Sequence, residues 1–371
     1  MVTMTQKSSP ITVLVVDDSA FMRKSISLML ESDPDIRVLA TARDGRDAID
    51  KIKSLNPDLV TLDVEMPNLD GLSALKIIMK ECPVPVLMVS SITTEGADAT
   101  FEALNLGAID FISKDLSSVS ANIINVRDEL IAKVKAIARS KSLLARFSSG
   151  KRPSTQSQSL SANRSPSILD AQQDFEAVLV GISTGGPQAL FHFLPQLPAS
   201  FPLGIAIVQH MPPRFTKSMA DRLDGLCQLT VKEANTGDEL LPGTVLIAQG
   251  GRQMTFEAGH ESLRAVISDE PTSSIYRPSA DIMMVSAASA VTKPFVGLIM
   301  TGMGRDGLHG LRLIKKKGGC VIAQNEQTCI VYGMPKAAVD DGIADYVLPL
   351  EKISEGLLMI AGERSEMHVR L

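Results

Sequence analysis

The sequence predicts two doubly wound α/β domains in tandem, each built on a mostly parallel sheet. Three observations predict it. Five short β-branched runs alternate with amphipathic stretches before residue 115, a polar serine-rich segment follows, and a second series of apolar runs and helical patterns begins near residue 175. Strands separated by helical stretches cannot pair as hairpins, so they pair in parallel with helices covering both faces.

In the first half the strand runs are Thr12–Val16, Arg37–Thr41, Leu59–Leu62, Val86–Val89 and Asp110–Ile112. Between them Phe21–Glu31, Arg46–Leu55, Leu72–Lys80 and Glu95–Leu106 carry apolar residues at helical spacing. Residues 147–167 hold eight serines, two prolines and a single leucine, too little apolar surface to offset the entropy of ordering. The expected division is 1–135 for the first domain, 136–173 for a helix end and flexible linker, and 174–371 for the second domain. In the second half AVLVGI, GIAIVQ, TVKEA, PFVGLIM, CVIAQ and ADYVLPL read as sheet strands. The segment Gly243–Ser268 reads differently, as an antiparallel hairpin appended to the sheet edge, because paired glycines break its apolar runs.

The composition narrows the class. With 44% hydrophobic and 21% charged residues the chain is ordinary for a globular protein, and a net charge of −5 offers no bulk attraction to nucleic acid. Its four cysteines lack C-x-x-C spacing, and neither a secretory core nor an apolar run long enough to span a bilayer is present. A cytoplasmic protein with reduced thiols and no membrane insertion is expected.

In such sheets ligands bind at the carboxyl ends of the strands. Asp17 and Asp18 end the first strand and Asp63 the third, so three hard oxygen donors converge there, a set suited to Mg²⁺ and a phosphate oxygen. Ser90 and Lys114 close the fourth and fifth strands at the same edge. Any one of these would serve as a helix cap or turn residue; five together point to a phosphorylation site. VVDDSAFMRK, TLDVEMPNLDGL, PVLMVSS and GAIDFISKD resemble a response-regulator receiver, a flavodoxin-like (βα)5 domain. The resemblance implies that Asp63 accepts a phosphoryl group, that Asp17 and Asp18 join it in binding Mg²⁺, that Ser90 and Lys114 contact the phosphate, and that Phe111 is the aromatic switch. Asp115 stands where the family usually has proline.

The second half opens on AVLVGISTGGP, a G-x-S-x-G turn between a strand and a helix that lifts the hydroxyl of Ser183 off the sheet edge. A serine nucleophile needs a base. Of the five histidines, His192 lies too far along the following helix, His260 sits at a hairpin tip, His368 is in the terminal tail, and His309 follows Asp306 on an outgoing helix. His210 closes the strand GIAIVQ, where a neighbouring strand end meets Ser183. Asp306, in a glycine-rich loop after the strand FVGLIM, is the candidate orienting carboxylate, with a helix N-cap as the plain alternative. Backbone N–H groups of Thr184 and of the loop near Met303 are candidates for an oxyanion hole. A phosphate cradle is the rival reading of the glycine turn, but the P-loop lysine is missing.

GISTGGP, QHMPPRFTKSMADRLD, IYRPSADIMMVSAA, LIMTGMGRDGL and YGMPKAA resemble the catalytic domain of the chemotaxis protein-glutamate methylesterase (CheB) family, and with the receiver the likeness covers nearly the whole chain. It implies a Ser183–His210–Asp306 triad, a substrate-facing Arg277, and hydrolysis of glutamate γ-methyl esters, with glutamine deamidation, on methyl-accepting chemoreceptors. A histidine kinase as phosphodonor, no cofactor for the esterase, no nucleic-acid partner and a monomeric state are expected, and the mechanistic hypothesis is a receiver that packs over the catalytic cleft until Asp63 is phosphorylated. Gln249 and Gln253 stand where the family often has proline and histidine. A binding module that has lost its chemistry and a DNA-binding regulator are the alternatives; the intact triad residues weigh against the first and the absence of a basic C-terminal domain against the second.

Overall fold

The computed structural model describes residues 9–91, 93–114, 121–140, 174–260 and 262–362. The serine-rich segment, Asp115 and His368 lie outside them. The chain divides into two compact units, Met1–Pro153 and Ser154–Leu371.

The first unit runs β1 (Ile11–Val16), α1 (Ala20–Glu31), β2 (Ile36–Ala42), α2 (Gly45–Leu55), β3 (Leu59–Asp63), α3 (Gly71–Glu81), β4 (Val86–Ser90), α4 (Thr94–Leu106), β5 (Asp110–Ser113) and α5 (Ala121–Ala138). Its five strands are parallel in the order β2-β1-β3-β4-β5. β3 and β4 are buried along their whole length, which is why they read as largely apolar runs without alternation. Polar side chains start the helices where the sequence places them: Ser19, Asp44, Asp70 and Thr93 each accept from a backbone N–H of the first turn of α1 to α4. The strand order reverses between β1 and β3, opening the crevice into which Asp17 and Asp63 project.

The second unit comprises β6 (Ala177–Ile182), α6 (Gly186–Phe193), β7 (Gly204–Gln209), α7 (Phe215–Asp224), β8 (Thr230–Glu233), β9 (Thr244–Ile247), β10 (Gln253–Ala258), β11 (Leu263–Ser268), α8 (Ala280–Ala290), β12 (Val296–Ile299), α9 (Leu308–Lys316), β13 (Cys320–Gln324), α10 (Met334–Asp340), β14 (Tyr346–Leu348) and α11 (Ile353–Ile360). Seven parallel strands follow the order β14-β13-β12-β6-β7-β9-β8. The antiparallel hairpin exists but is smaller than the sequence suggests. GTVLIAQ is not part of it: β9 is inserted between β7 and β8 as a parallel sheet strand. Only β10 and β11 pair antiparallel, as a separate two-stranded sheet. The glycine pair Gly250-Gly251 ends a buried strand rather than turning a hairpin, and both kinds of break look alike in sequence. α8 explains what the hairpin is for. Its Ala280, Met283, Met284, Ala287 and Ala288 are buried, and it packs against β10 and α9, so the hairpin covers a helix apolar enough to need burial on more than one side.

The switch point of this sheet is β6. The chain moves from β6 to β7 on one side and returns to β12 on the other. The carboxyl ends of β6, β7 and β12 are therefore neighbours, and the loops after them meet.

Candidate active site

Register decides which side chains meet at that edge. β6 pairs with β7 so that Ile182 stands opposite Gln209, and the His210 N–H donates to the Ile182 carbonyl at 3.2 Å. Ser183 and His210 are the next residues on two adjacent strands, which run about 4.8 Å apart. On the other side the Ser183 N–H donates to the Thr301 carbonyl at 2.9 Å, pinning the serine to the end of β12. Gln209 ties the first two ends together, its amide donating to the carbonyls of Ser183 (2.9 Å) and His210 (3.2 Å). Thr301 ties the third, its hydroxyl donating to the Thr184 carbonyl at 2.8 Å. The left-handed residue of the G-x-S-x-G turn is Gly185 (φ 77°), the N-cap of α6; Ser183 itself is not among the described residues with positive φ.

His210 Nε2 lies 2.8 Å from Asp306 Oδ2. Its Nδ1 is buried and has no hydrogen-bond partner among the described residues, so it is the nitrogen left for the serine side. Asp306 is not the N-cap of the helix that follows it; that role falls to Gly307. It sits instead on the N-terminus of α8, accepting from Ser279 Oγ (2.8 Å), Ala280 N (2.6 Å) and Asp281 N (3.1 Å). Burial alone raises a carboxyl pKa, but the bonds from His210, Ser279 and Ala280 outweigh it and hold Asp306 below the usual range. An ionised carboxylate beside an imidazole fixes its tautomer and stabilises the imidazolium.

The loop after β12 reaches the serine through a glycine. A Cβ at Gly302 would stand 2.8 Å from Ser183 Cβ and 2.4 Å from Met334 Sδ, so only glycine admits this approach. The Gly302 carbonyl in turn accepts from Gly333 and Met334 N–H, anchoring the loop to the start of α10. Among the described residues the Thr184 and Met303 N–H groups make no backbone hydrogen bond. Arg277 donates to the Thr272 carbonyl at 2.6 Å. His192, His260 and His309 are exposed and take no part.

The acidic crevice of the first unit has comparable order. Asp17, Asp18 and Asp63 each offer an oxygen within 4.8 Å of the others, and the buried Asp17 Oδ2 and Asp63 Oδ2 lack a hydrogen-bond partner. Lys114 Nζ lies 2.9 Å from the first and 2.6 Å from the second, close in charge though off the hydrogen-bond direction. Burial pushes the Asp63 carboxyl up to about 6, against the pull of Lys114 and with a further push from Asp17. Burial opposes the charge of Lys114 too, but contact with Asp63 and Asp17 keeps its pKa above the usual value. Ser90 Oγ donates instead to the Gly96 carbonyl at 3.1 Å, and Phe111 is buried beneath Lys133, whose ammonium lies 5.5 Å from the ring centre.

Residues 178–357 match the family model described as CheB methylesterase, and residues 13–122 match the response regulator receiver domain. A protein-glutamate methylesterase/protein-glutamine glutaminase of Nitratidesulfovibrio vulgaris is 46% identical over 363 residues, covering 94% of this chain and 98% of that protein. The chain belongs to the CheB methylesterase family. A relative of the same description from Pyrococcus horikoshii is 47% identical over 347 residues, covering 93% of this chain and 92% of its own. The crystal structure of the Thermotoga maritima CheB methylesterase catalytic domain is 43% identical, covers 50% of this chain and 99% of that one, and superposes with a TM-score of 0.48.

Ser183, His210 and Asp306, named from the sequence, stand at one sheet edge here; Tyr276 was not named, and it stacks face to face on the His210 ring with centroids 4.3 Å apart and planes 4° from parallel. Ser279 and Gln209 were not named either. Ser279 had a visible signal, a serine directly before an apolar helical run. Tyr276 had none, because stacking across unconnected loops leaves no trace in spacing. No helix among the described residues is long and apolar enough to cross a membrane.

Proposed function

We propose that this chain is a phosphorylation-activated serine hydrolase that cleaves glutamate γ-methyl esters, and deamidates glutamines, on the cytoplasmic helices of methyl-accepting chemoreceptors. The observation that carries the reading is the 2.8 Å contact between His210 and Asp306 beside a serine on the adjoining strand end. Its support from kinship is a family whose full-length relatives bear both activities in their names.

In this mechanism His210 takes the proton of Ser183 Oγ through Nδ1 while Nε2–H stays bonded to Asp306. Oγ attacks the γ-carbonyl carbon, and the oxyanion is held by the N–H groups of Thr184 and Met303. The imidazolium returns its proton to the departing oxygen, releasing methanol, or to the departing nitrogen of a glutamine, releasing ammonia. Water, deprotonated by His210, then cleaves the acyl-enzyme and leaves a glutamate carboxylate. Arg277 would attract the acidic receptor surface.

Control would come from Asp63, which accepts a phosphoryl group from a histidine kinase. The buried carboxylates of Asp17 and Asp63, paired here with Lys114, and Asp18 at the rim offer three oxygens within 4.8 Å of one another and fit a hard divalent cation. Mg²⁺ bound there would offset phosphoryl charge. Lys114 lies where it can pair with the phosphate, Ser90 must leave the Gly96 carbonyl to do so, and Phe111 is the aromatic whose burial would change with it. The test is methanol release from a methylated receptor fragment: Ser183→Ala should abolish it, and Asp63→Asn should remove its stimulation by a small-molecule phosphodonor while sparing the basal rate. Turnover by the alanine variant at the native rate refutes the nucleophile.

A further inference from the structure

Resting on the triad reading above, we infer that Tyr276 is a positioning residue for the esterase, whose ring face holds the His210 imidazole in plane and stabilises the imidazolium formed when the serine gives up its proton. Three observations carry it. The rings are stacked at 4.3 Å with a 4° interplanar angle, and the imidazole edge faces Asp306, so its position is set by one charge and one π-face.

The ring is held from behind. The Tyr276 carbonyl accepts from Gln253 Nε2 and from Ser274 Oγ, both at 2.9 Å, and the Arg277 carbonyl accepts from Gly251 N–H at 3.1 Å. Gln253 is fully buried, and its Oε1 accepts the Ser279 N–H at 2.9 Å. The same amide therefore fixes both the residue stacked on His210 and the residue bonded to Asp306. Where the sequence showed only an unusual residue in a hairpin, the structure has a strut joining the two partners of the base.

The hydroxyl end is also committed. A Cβ at Gly304 would stand 2.8 Å from the Tyr276 hydroxyl, so the ring fills the space between the base and the loop that carries Met303. Burial first, and the charge of Asp306 second, raise the tyrosine pKa, so it presents a neutral ring. Such a face attracts a cation, and a π-face over a desolvated cation stabilises it appreciably.

The test is a set of Tyr276 variants in the full chain. Asp306, in the loop before α9, bonds the imidazole, Ser183 follows β6 on the adjoining strand end, and Gln209 holds the His210 carbonyl. All are unchanged across the set, so differences report the ring. Tyr276→Phe should keep kcat within about twofold and leave the acid limb of the kcat/KM profile in place. Tyr276→Leu should lower kcat on the order of fivefold with KM nearly unchanged, and move that limb down by roughly half a pH unit or more, the equivalent of a cation–π contact. A ring-fluorinated phenylalanine at 276 keeps the shape and weakens the π-face, so it should behave as leucine does even if the leucine variant fails to fold. An NMR titration of the His210 ring in the same variants reads the shift without turnover. If the titration does not move between the phenylalanine and fluorinated variants, the inference is wrong. If the native chain releases no methanol, the esterase reading fails instead, and the titration still decides the stacking claim.

Discussion

Replacing Asp306 with asparagine should separate the charge of this side chain from its shape. Oδ2 accepts from His210 and Ala280 N–H, and Oδ1 from Ser279 and Asp281 N–H. Whichever oxygen becomes an amide nitrogen, it meets a backbone donor at the start of α8. Burying one such donor against another costs about 1–3 kcal/mol, a fall in melting temperature of roughly 2–4 °C for each kcal/mol in a domain of this size. The catalytic loss is larger. An ion pair some 4 Å between charge centres contributes about 4 kcal/mol at an effective dielectric near 20, so kcat should fall on the order of a thousandfold. Because Asp306 titrates below the ordinary carboxylate value, its stabilising charge is present above about pH 4 and disappears only as pH falls through the lowered folded value. The stability gap between native and variant chains should therefore be constant from neutral pH to about pH 5 and shrink below pH 4. Initial rates of methanol release and thermal melts across that range measure both. An asparagine variant that keeps kcat within tenfold of native would refute the assignment of Asp306 as partner of the base.

Gly302→Ala should lower kcat by at least tenfold, because the added carbon collides with Ser183 Cβ and Met334 Sδ; an unchanged rate would show that the loop can retreat without loss. Lys133→Met leaves the buried Asp110 carboxylate without its 3.1 Å partner and should cost the receiver unit about 3–5 kcal/mol at neutral pH. Burial raises the Asp110 pKa even with Lys133 present, so in the variant the carboxyl should neutralise more readily and the penalty fade as pH falls toward 4. Comparative urea melts at pH 7 and 5 check this, and an equal penalty at both would count against it. Chelating divalent cations should abolish phosphodonor stimulation and leave the basal esterase rate alone, as measured by paired assays with and without excess Mg²⁺.

Much of this architecture was legible because strands buried on both faces announce themselves. β1, β3, β4, β6 and β7 are mostly apolar runs, and the polar residue that ends or follows each one lies at a strand end where a site can form. Asp17, Asp63, Ser183 and His210 were all visible by that rule. β9 was misplaced because its four residues, Thr244–Ile247, are followed by glycines and a true hairpin, and a short buried parallel strand has the same local pattern as the first arm of an antiparallel one. The partner of Asp306 was hidden for a related reason. Local pattern assigns a carboxylate before a helix to that helix, whereas the fold gives Asp306 to α8, more than twenty residues back.

That assignment has a mechanistic consequence. A carboxylate that only balanced His210 would compete for its proton as burial raised its basicity. The bond and charge of His210 itself, then the donors Ser279 and Ala280 at the helix N-terminus, outweigh burial and keep Asp306 a weak base, able to stabilise the imidazolium without taking its proton. The stacked ring of Tyr276 adds attraction that cannot accept a proton at all. On the proposed mechanism the base is thus supported from two directions by groups that favour its charged form, and both are held by the short segment from Tyr276 to Asp281. A change in that segment should act on the proton transfer before it acts on substrate binding, and so reach kcat before KM.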